Sequence, residues 1–137
     1  MSFFQVFDIA GSAMSAQSVR LNVTASNIAN ADSAASDPNE VYRSRQPVFS
    51  TFNEHMADAQ GSFGVRVLGI VESQAPARSQ YQPDHPQADE AGYVYFSNVN
   101  ALEEMVNMMT ASRSYQNNVE VINTSKDLLL RTLSLGQ

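Results

Sequence analysis

The sequence contains no cysteine, and basic residues are scarce in it. The absence of cysteine excludes disulfide bonds, thiolate metal sites and cysteine nucleophiles. Lysine and arginine total 8 against 14 aspartate and glutamate residues, which gives a net charge of −6. Because no basic patch is visible, we expect no nucleic-acid binding. No apolar run approaches the roughly 20 residues that a membrane-spanning helix requires, so we expect no direct membrane insertion.

The N-terminal stretch also lacks a positive charge before Arg20. A secretory signal peptide opens with a positively charged segment, and this chain does not show that pattern. By these rules alone the default location is the cytoplasm. The 137 residues fit one ordinary domain. The low share of charged residues leaves a surface of serine, asparagine, glutamine and alanine, which suits extensive contact with other protein.

An amphipathic pattern predicts a helix at the N-terminus, where Ser2 and Gln5 are spaced as a capping box. Large apolar residues then recur every seven positions, and a small residue (Gly11, Ser18 or Ala25) follows each of the first three by four positions. Large residues alternating with small ones make a narrow seam that a second helix can approach closely. The large residues of this predicted helix-pairing seam are Phe7, Met14, Leu21 and Ile28.

A second, longer helix is predicted from about Asn100 almost to the C-terminus, with Asn100 and Glu103 spaced as an N-terminal cap and Gly136 as a stop. Its stripe alternates steps of four and three residues, as in a heptad repeat. This pattern fits a two-helix core within one monomer equally well. The stripe comprises Ala101, Met105, Met108, Ser112, Tyr115, Val119, Ile122, Lys126, Leu129 and Leu133, of which we assign Met105, Met108, Tyr115, Val119, Ile122 and Leu129 to the seam.

The middle of the chain has a different character. Residues 32–41 are small and polar and predict a loop. Residues 48–52 and 63–73 have strand character. Residues 74–96 carry three prolines and predict extended chain rather than regular structure. The predicted order is therefore helix, small β-rich insert, extended linker and longer helix. The residues expected on one alternating face of the second strand are Val65, Val67 and Val71.

The densest ionisable cluster, Asp84, His85, Asp89 and Glu90, lies in the linker. Carboxylates beside a histidine can bind a divalent metal or act in acid–base chemistry. Prolines flank His85, however, and the only other histidine is His55, so a turn is the favoured interpretation. Neither a G-x-S-x-G elbow nor an S-x-x-K pattern occurs. We expect no enzyme and no cofactor, and a metal site at Asp84, His85 and Asp89 is the minor alternative.

Four blocks of the sequence resemble the flagellar rod, hook and hook-associated proteins of bacteria. "LNVTASNIANADS" (21–33) carries the Asn-hydrophobe-Ala-Asn core that follows the first helix in this family. "YRSRQPVF" (42–49) continues the match. "HPQADEAGYVYFSNVN" (85–100) and the helix over 103–137 resemble the proximal-rod branch. Two departures are Ala31-Asp32-Ser33, which favours that branch over hook-like relatives, and Ser97, where the family usually has proline.

The resemblance implies a structural subunit of the flagellar basal body. Its fold would be mainly α with a small β-rich insert, divided into an N-terminal helix (1–31), an insert with linker (32–97) and a C-terminal helix (98–137). Such subunits pack with copies of themselves and other rod proteins into a helical proximal rod, which crosses the periplasm and transmits torque. They are exported by the flagellar type III apparatus without a cleaved signal peptide. The alternative is a cytoplasmic coiled-coil adaptor.

Three hypotheses about residues accompany this interpretation. We expect the two terminal helices to pair as an antiparallel coiled-coil-like core. We expect Asn27, Asn30 and Asp32 to form a joint that fixes the angle at which the insert leaves the first helix. Arg113 would need a carboxylate if buried at a contact, either Asp8 or an acid of another molecule. The remaining predicted assembly contacts are the leucines of the C-terminal end, Leu128, Leu130, Leu133 and Leu135.

Overall fold

The computed structural model describes residues 3–53 and 63–135. Two long helices enclose a β-rich middle, which confirms the predicted fold class at that level. The predicted cap at Ser2, the stop at Gly136 and His55 lie outside the described residues. The elements in chain order are α1 (Phe3–Ala29), β1 (Ala34–Ala35), β2 (Arg45–Asn53), β3 (Phe63–Glu72), β4 (Arg78–Tyr81), β5 (Tyr93–Phe96) and α2 (Ala101–Leu135).

Helices α1 and α2 pack against each other in antiparallel directions. Arg20 of α1 donates to Asn107 of α2 at 3.5 Å, and one turn further along α1 Thr24 lines the same cleft as Glu104. The buried residues near this hydrogen bond have small side chains. Ala16 and Ala111, one turn away from that hydrogen bond on each helix, are both buried, as is Ala10. Alanine lets two helix backbones approach closely.

The C-terminal end of α2 extends past α1. Helix α1 runs 17 residues from Arg20 back to Phe3, and an equal span of α2 from Asn107 reaches Thr124. Residues 125–135 therefore project beyond the described start of α1 by about 16 Å, at a rise of about 1.5 Å per residue. The cap at Asn100 forms as predicted, because its side-chain oxygen accepts from the backbone amide of Leu102 at 3.1 Å.

The small residues of the predicted α1 seam do not serve close packing within the chain. Gly11, Ser18 and Ala25 are exposed, and a Cβ added at Gly11 would meet no atom of the described residues within 4 Å. The inward face lies to one side of them, where Ala10, Ala16, Val23, Thr24 and Asn27 are buried. Within the single chain, close packing therefore does not run through these three small residues, because the hairpin as well as α2 packs on α1 and the buried face includes both contacts.

Strands β2 and β3 form a long antiparallel hairpin that packs on α1. The ladder shifts at Val48/Phe49, where Leu68 is the extra residue of a β-bulge. Val67 pairs with Phe49, whereas Val71 pairs with Gln46, so the bulge turns Val71 to the opposite face. The prediction that Val71 shares a face with Val65 and Val67 is therefore wrong, because a strict two-residue alternation does not survive a bulge.

The predicted extended linker contains regular structure. Strands β4 and β5 pair with each other, and the two-residue strand β1 pairs with the other edge of β5 to give the order β1-β5-β4. The prediction of irregular chain here is wrong, because the prolines fall outside the two short strands. Gly92 has a φ of 82°, a conformation that favours glycine, and it precedes β5. This small sheet lies where α1 ends and α2 begins.

Candidate functional site

The clearest built site is the joint between the end of α1 and the start of β2. Asn27 is fully buried on the last turn of α1. Its Nδ2 donates to the carbonyl of Arg45 at 2.8 Å, and its Oδ1 accepts from the amide of Arg45 at 3.0 Å. The side-chain amide thus pairs with the first residue of β2 as a neighbouring strand would. The hydroxyl of Tyr42 donates to the same Oδ1 at 2.8 Å.

Asn30 acts on the helix itself. Its Nδ2 donates to the carbonyl of Ser26 at 2.8 Å, and its backbone amide approaches the same oxygen at 3.2 Å. Ser33 then donates its hydroxyl to the carbonyl of Asn30 at 2.9 Å. These bonds add side-chain donors to carbonyls at the end of the helix, where backbone donors become few. Asp32 is exposed and makes no hydrogen bond within residues 3–53 and 63–135.

Two side chains that the sequence did not indicate extend the joint to the linker. Arg78, the first residue of β4, donates from Nε to the carbonyl of Ser97 at 2.8 Å and from a terminal nitrogen to the carbonyl of Ala31 at 3.2 Å. Asn98 accepts from the amide of Ser44 at 2.8 Å and donates to the carbonyl of Ala75 at 2.9 Å. The one available signal was that Arg78 is the only lysine or arginine of a linker whose other charged residues are acidic.

Ser97 is the position at which the family resemblance predicts proline. It is fully buried, and its amide donates to the carbonyl of Ser33 at 3.1 Å. Its hydroxyl accepts from the amide of Val99 at 3.2 Å. Proline has no amide hydrogen and would leave the Ser33 carbonyl without this donor. In this chain Ser97 therefore adds one more bond between the small sheet and the end of α1.

The ionisable cluster of the linker forms a turn. One carboxylate oxygen of Asp89 accepts from the amides of Ala91 and Tyr93 at 2.9 and 2.7 Å, and the other accepts from the hydroxyl of Tyr95 at 3.2 Å. Burial, together with the Asp89 carboxylate, raises the pKa of Tyr95, which stays a protonated donor. His85 Nδ1 accepts from the amide of Gln87 at 3.1 Å. Among the described residues no group of three or more histidine, aspartate or glutamate side chains is arranged to hold a metal.

None of the ten predicted seam residues is among the fully buried residues of the described chain. All but Met105 are partly buried, and Met105 is half exposed. The fully buried positions of α2 are Glu104 and Ala111, one residue away from the predicted stripe at each place. Assignment of the seam to helix pairing stays a prediction. It concerns Phe7, Met14, Leu21, Ile28, Met105, Met108, Tyr115, Val119, Ile122 and Leu129.

The predicted assembly contacts face solvent. Arg113 is exposed and makes no hydrogen bond or ion pair within the part of the chain that the structure describes, with Asp8 or any other acid. The four leucines lie on the projecting end of α2, and each is at least half exposed: Leu128, Leu130, Leu133 and Leu135. Over the described residues, neither helix has a segment both long and apolar enough to cross a membrane.

Comparison with known proteins matches this arrangement of terminal helices. A family described as "Flagella basal body rod protein" matches residues 7–34, and one described as "Flagellar basal body rod FlgEFG protein C-terminal" matches residues 90–135. The chain is 52% identical to the flagellar basal-body rod protein FlgC of Salmonella typhimurium and 53% identical to that of Yersinia enterocolitica. Each alignment covers the full length of this chain and of the relative. The FlgC of Buchnera aphidicola from Acyrthosiphon pisum is 42% identical, again over both full lengths. The chain belongs to the FlgC family of flagellar basal-body rod proteins.

Proposed function

We propose that this chain is a subunit of the proximal rod, within the periplasm, where it packs helically with copies of itself and with other rod proteins and transmits torque. Membership of the FlgC family makes it a structural subunit of the flagellar basal-body rod and not an enzyme. In this proposal residues 1–31 and 98–137 form the rod core. Residues 32–97 form the insert that the joint holds at a set angle.

The observation that carries the proposal is the projecting end of α2. Leu128, Leu130, Leu133 and Leu135 cover more than one side of this end, and a contact with α1 alone cannot bury them. Large apolar side chains that stay together on a surface mark a protein interaction site. Neighbouring subunits would cover this end.

The coiled-coil-like pairing of α1 and α2 is part of the same proposal. Antiparallel directions and small buried residues at the contact support it. The ten seam residues keep part of their surface accessible, so they can contact both the partner helix and a neighbouring subunit. The fully buried residues of each helix would then serve the fold, and the seam residues would also serve assembly.

We also propose export by the flagellar type III apparatus. The chain carries no cysteine that could form a premature disulfide in an oxidising compartment. In the described part of the chain the buried apolar residues are alanine and valine, so each contributes little apolar area to a folded state that must be avoided before export. The chain would fold on arrival, when neighbours cover its helices.

Substitution of the projecting leucines tests the proposal, in a bacterial strain whose own copy of this protein has been deleted. Leu130→Ser with Leu133→Ser is expected to abolish incorporation into basal bodies and swimming. Since both side chains are exposed, the free energy of unfolding of the purified monomer should change by about 0.5 kcal/mol or less per site. Arg131→Ser, in the same exposed turn, is the matched control and should swim normally. Basal bodies that contain the double variant at normal levels would disprove the role of this end.

A further inference from the structure

A polar cleft of about 340 Å³ lies between α1, α2 and the start of β2. Glu104 lines this cleft, and the residue is only 6% exposed. Its side chain makes no hydrogen bond or ion pair within residues 3–53 and 63–135. A carboxylate on a largely buried residue is stabilised when a counter-charge or hydrogen-bond donors accompany it. Its position in the first turn of α2 is favourable to a negative charge but supplies no counter-ion.

The two arginines that line the same cleft have other partners. Arg45 makes an ion pair with Glu72 at 2.9 Å and lies over the ring of Tyr42. Arg20 donates to Asn107. Neither guanidinium lies within ion-pair distance of the Glu104 carboxylate. The apolar side of the cleft is formed by Pro47 and Phe49. The cleft thus holds one carboxylate that makes no ion pair in the described chain, two arginines directed to other groups, and an apolar wall.

The opposite face of α2 carries the complementary groups. At about 100° per residue, Leu102, Val106, Met109 and Arg113 fall within one sector of about 60°, and Glu104 lies roughly 180° from its centre. The three apolar side chains are each more than half exposed. Arg113 ends this apolar stripe toward the C-terminus and is itself exposed and without an acceptor in the described chain.

We propose that Arg113 of one copy enters the cleft of a second copy and pairs with its Glu104, while Leu102, Val106 and Met109 cover the apolar wall. This inference rests on the proposed assembly and names one of its contacts. The two halves of the contact lie on opposite faces of one helix, so the interface is heterologous. A heterologous interface that does not close into a ring continues as an open helical array, which is the symmetry of a rod.

Exchanging the charges of Glu104 and Arg113 tests the pair, in a bacterial strain that lacks its own copy of this protein. Glu104→Arg and Arg113→Glu are each expected to lower the number of complete basal bodies per cell by about tenfold or more, and the double variant to restore it. Glu103→Arg, an exposed carboxylate in the same turn, is the matched control and should assemble normally. A double variant no better than the worse single variant overturns the pair, as does a Glu103→Arg defect equal to that of Glu104→Arg.

Because Glu104→Arg places a large side chain in a tight cleft, cross-linking gives a second measurement that leaves the pair intact. Asn107→Cys and Gln116→Cys each lie three residues from one member of the pair. They are about 14 Å apart along α2, too far for a disulfide within one chain. The natural chain has no cysteine to interfere. Oxidised basal bodies of this double variant should give a ladder of dimers and higher multimers, and Glu103→Cys with Gln116→Cys should give none.

The outcomes separate this inference from the proposed function. Basal bodies that contain the double-cysteine chain but give no ladder would overturn the Arg113–Glu104 contact and leave the rod function standing. A cross-link from Asn107→Cys to a different rod protein would overturn the choice of a second copy. Absence of the natural chain from purified basal bodies would instead contradict the proposed function itself.

Discussion

Replacement of Asn27 by alanine is the most direct test of the joint. The substitution removes the bonds to the amide and the carbonyl of Arg45 and the bond from Tyr42. It keeps the helix, because alanine has a higher helix propensity than asparagine. The loss therefore falls on the attachment between α1 and β2, and not on the formation of either element.

The expected cost follows from the three lost bonds. An intramolecular hydrogen bond contributes about 1 kcal/mol net, so their sum is about 3 kcal/mol. Asn27 is fully buried, so the groups of Arg45 that face it would lose their partner at a site that water reaches poorly. The loss is then a substantial part of the roughly 5–15 kcal/mol that stabilise a typical domain.

Chemical denaturation of purified variants measures this cost. Asn27→Ala should lower the free energy of unfolding by about 3 kcal/mol, and Asn30→Ala, which loses one side-chain bond, by about 1 kcal/mol. Asn22→Ala is the matched control, because Asn22 is exposed on the same helix and makes no hydrogen bond from its side chain in the described chain. If Asn27→Ala costs no more than Asn22→Ala, the pairing with Arg45 does not exist in solution.

If the joint fixes the angle between the insert and α1, the same variants should also affect assembly. An altered angle between insert and helix is repeated at every subunit of a rod, so assembly should suffer more than folding. We expect Asn30→Ala, whose cost to the monomer is small, to reduce swimming clearly in a strain that lacks its own copy. Normal swimming by Asn30→Ala would limit the role of this residue to ending α1.

Two other sites carry predictions of measurable size. Gly92→Ala should lower the free energy of unfolding by about 1–2 kcal/mol because a side chain at this positive φ is strained, and its Cβ would lie 2.8 Å from the ring of Tyr81. Gly69→Ala, where a Cβ meets nothing within 4 Å, is the control, and equal midpoints in denaturant would contradict the argument. Arg78→Ala should cost about 2 kcal/mol through its two bonds to carbonyls, whereas Arg66→Ala, an exposed arginine of β3, should cost about 0.5 kcal/mol or less.

Features that depend on local sequence could be predicted. Both helices, the cap at Asn100 and the two strands of the hairpin follow from periodicity and end signals within a few residues. The role of Asn27 and Asn30 at the end of α1 was also visible, because two asparagines exceed what a helix stop requires. The hydrogen bonds of Asn30 join it to residues three or four positions away, so they could be predicted from the local sequence.

Features that depend on distant residues could not be predicted. The partner of Asn27 is 18 residues away, and Arg78 reaches a carbonyl 47 residues earlier in the chain. The bulge at Leu68 adjoins Gly69, a residue type that often marks a bulge, and a strict alternation carried across this glycine puts Val71 on the wrong face. On α1 the buried face includes the contact with the hairpin, and a two-helix repeat cannot indicate that face.

The division between buried and exposed groups explains how the chain serves assembly. Among the described residues the largest fully buried side chains are Val94, Asn27 and Ser97, and two of these three are polar. The fold is therefore held by small apolar residues and by directional hydrogen bonds at the joint, which set angles more strictly than apolar contact does. Large apolar residues such as Leu133 and Met109 remain outside. A subunit built in this way keeps its apolar area for neighbours, and the joint gives every copy the same shape.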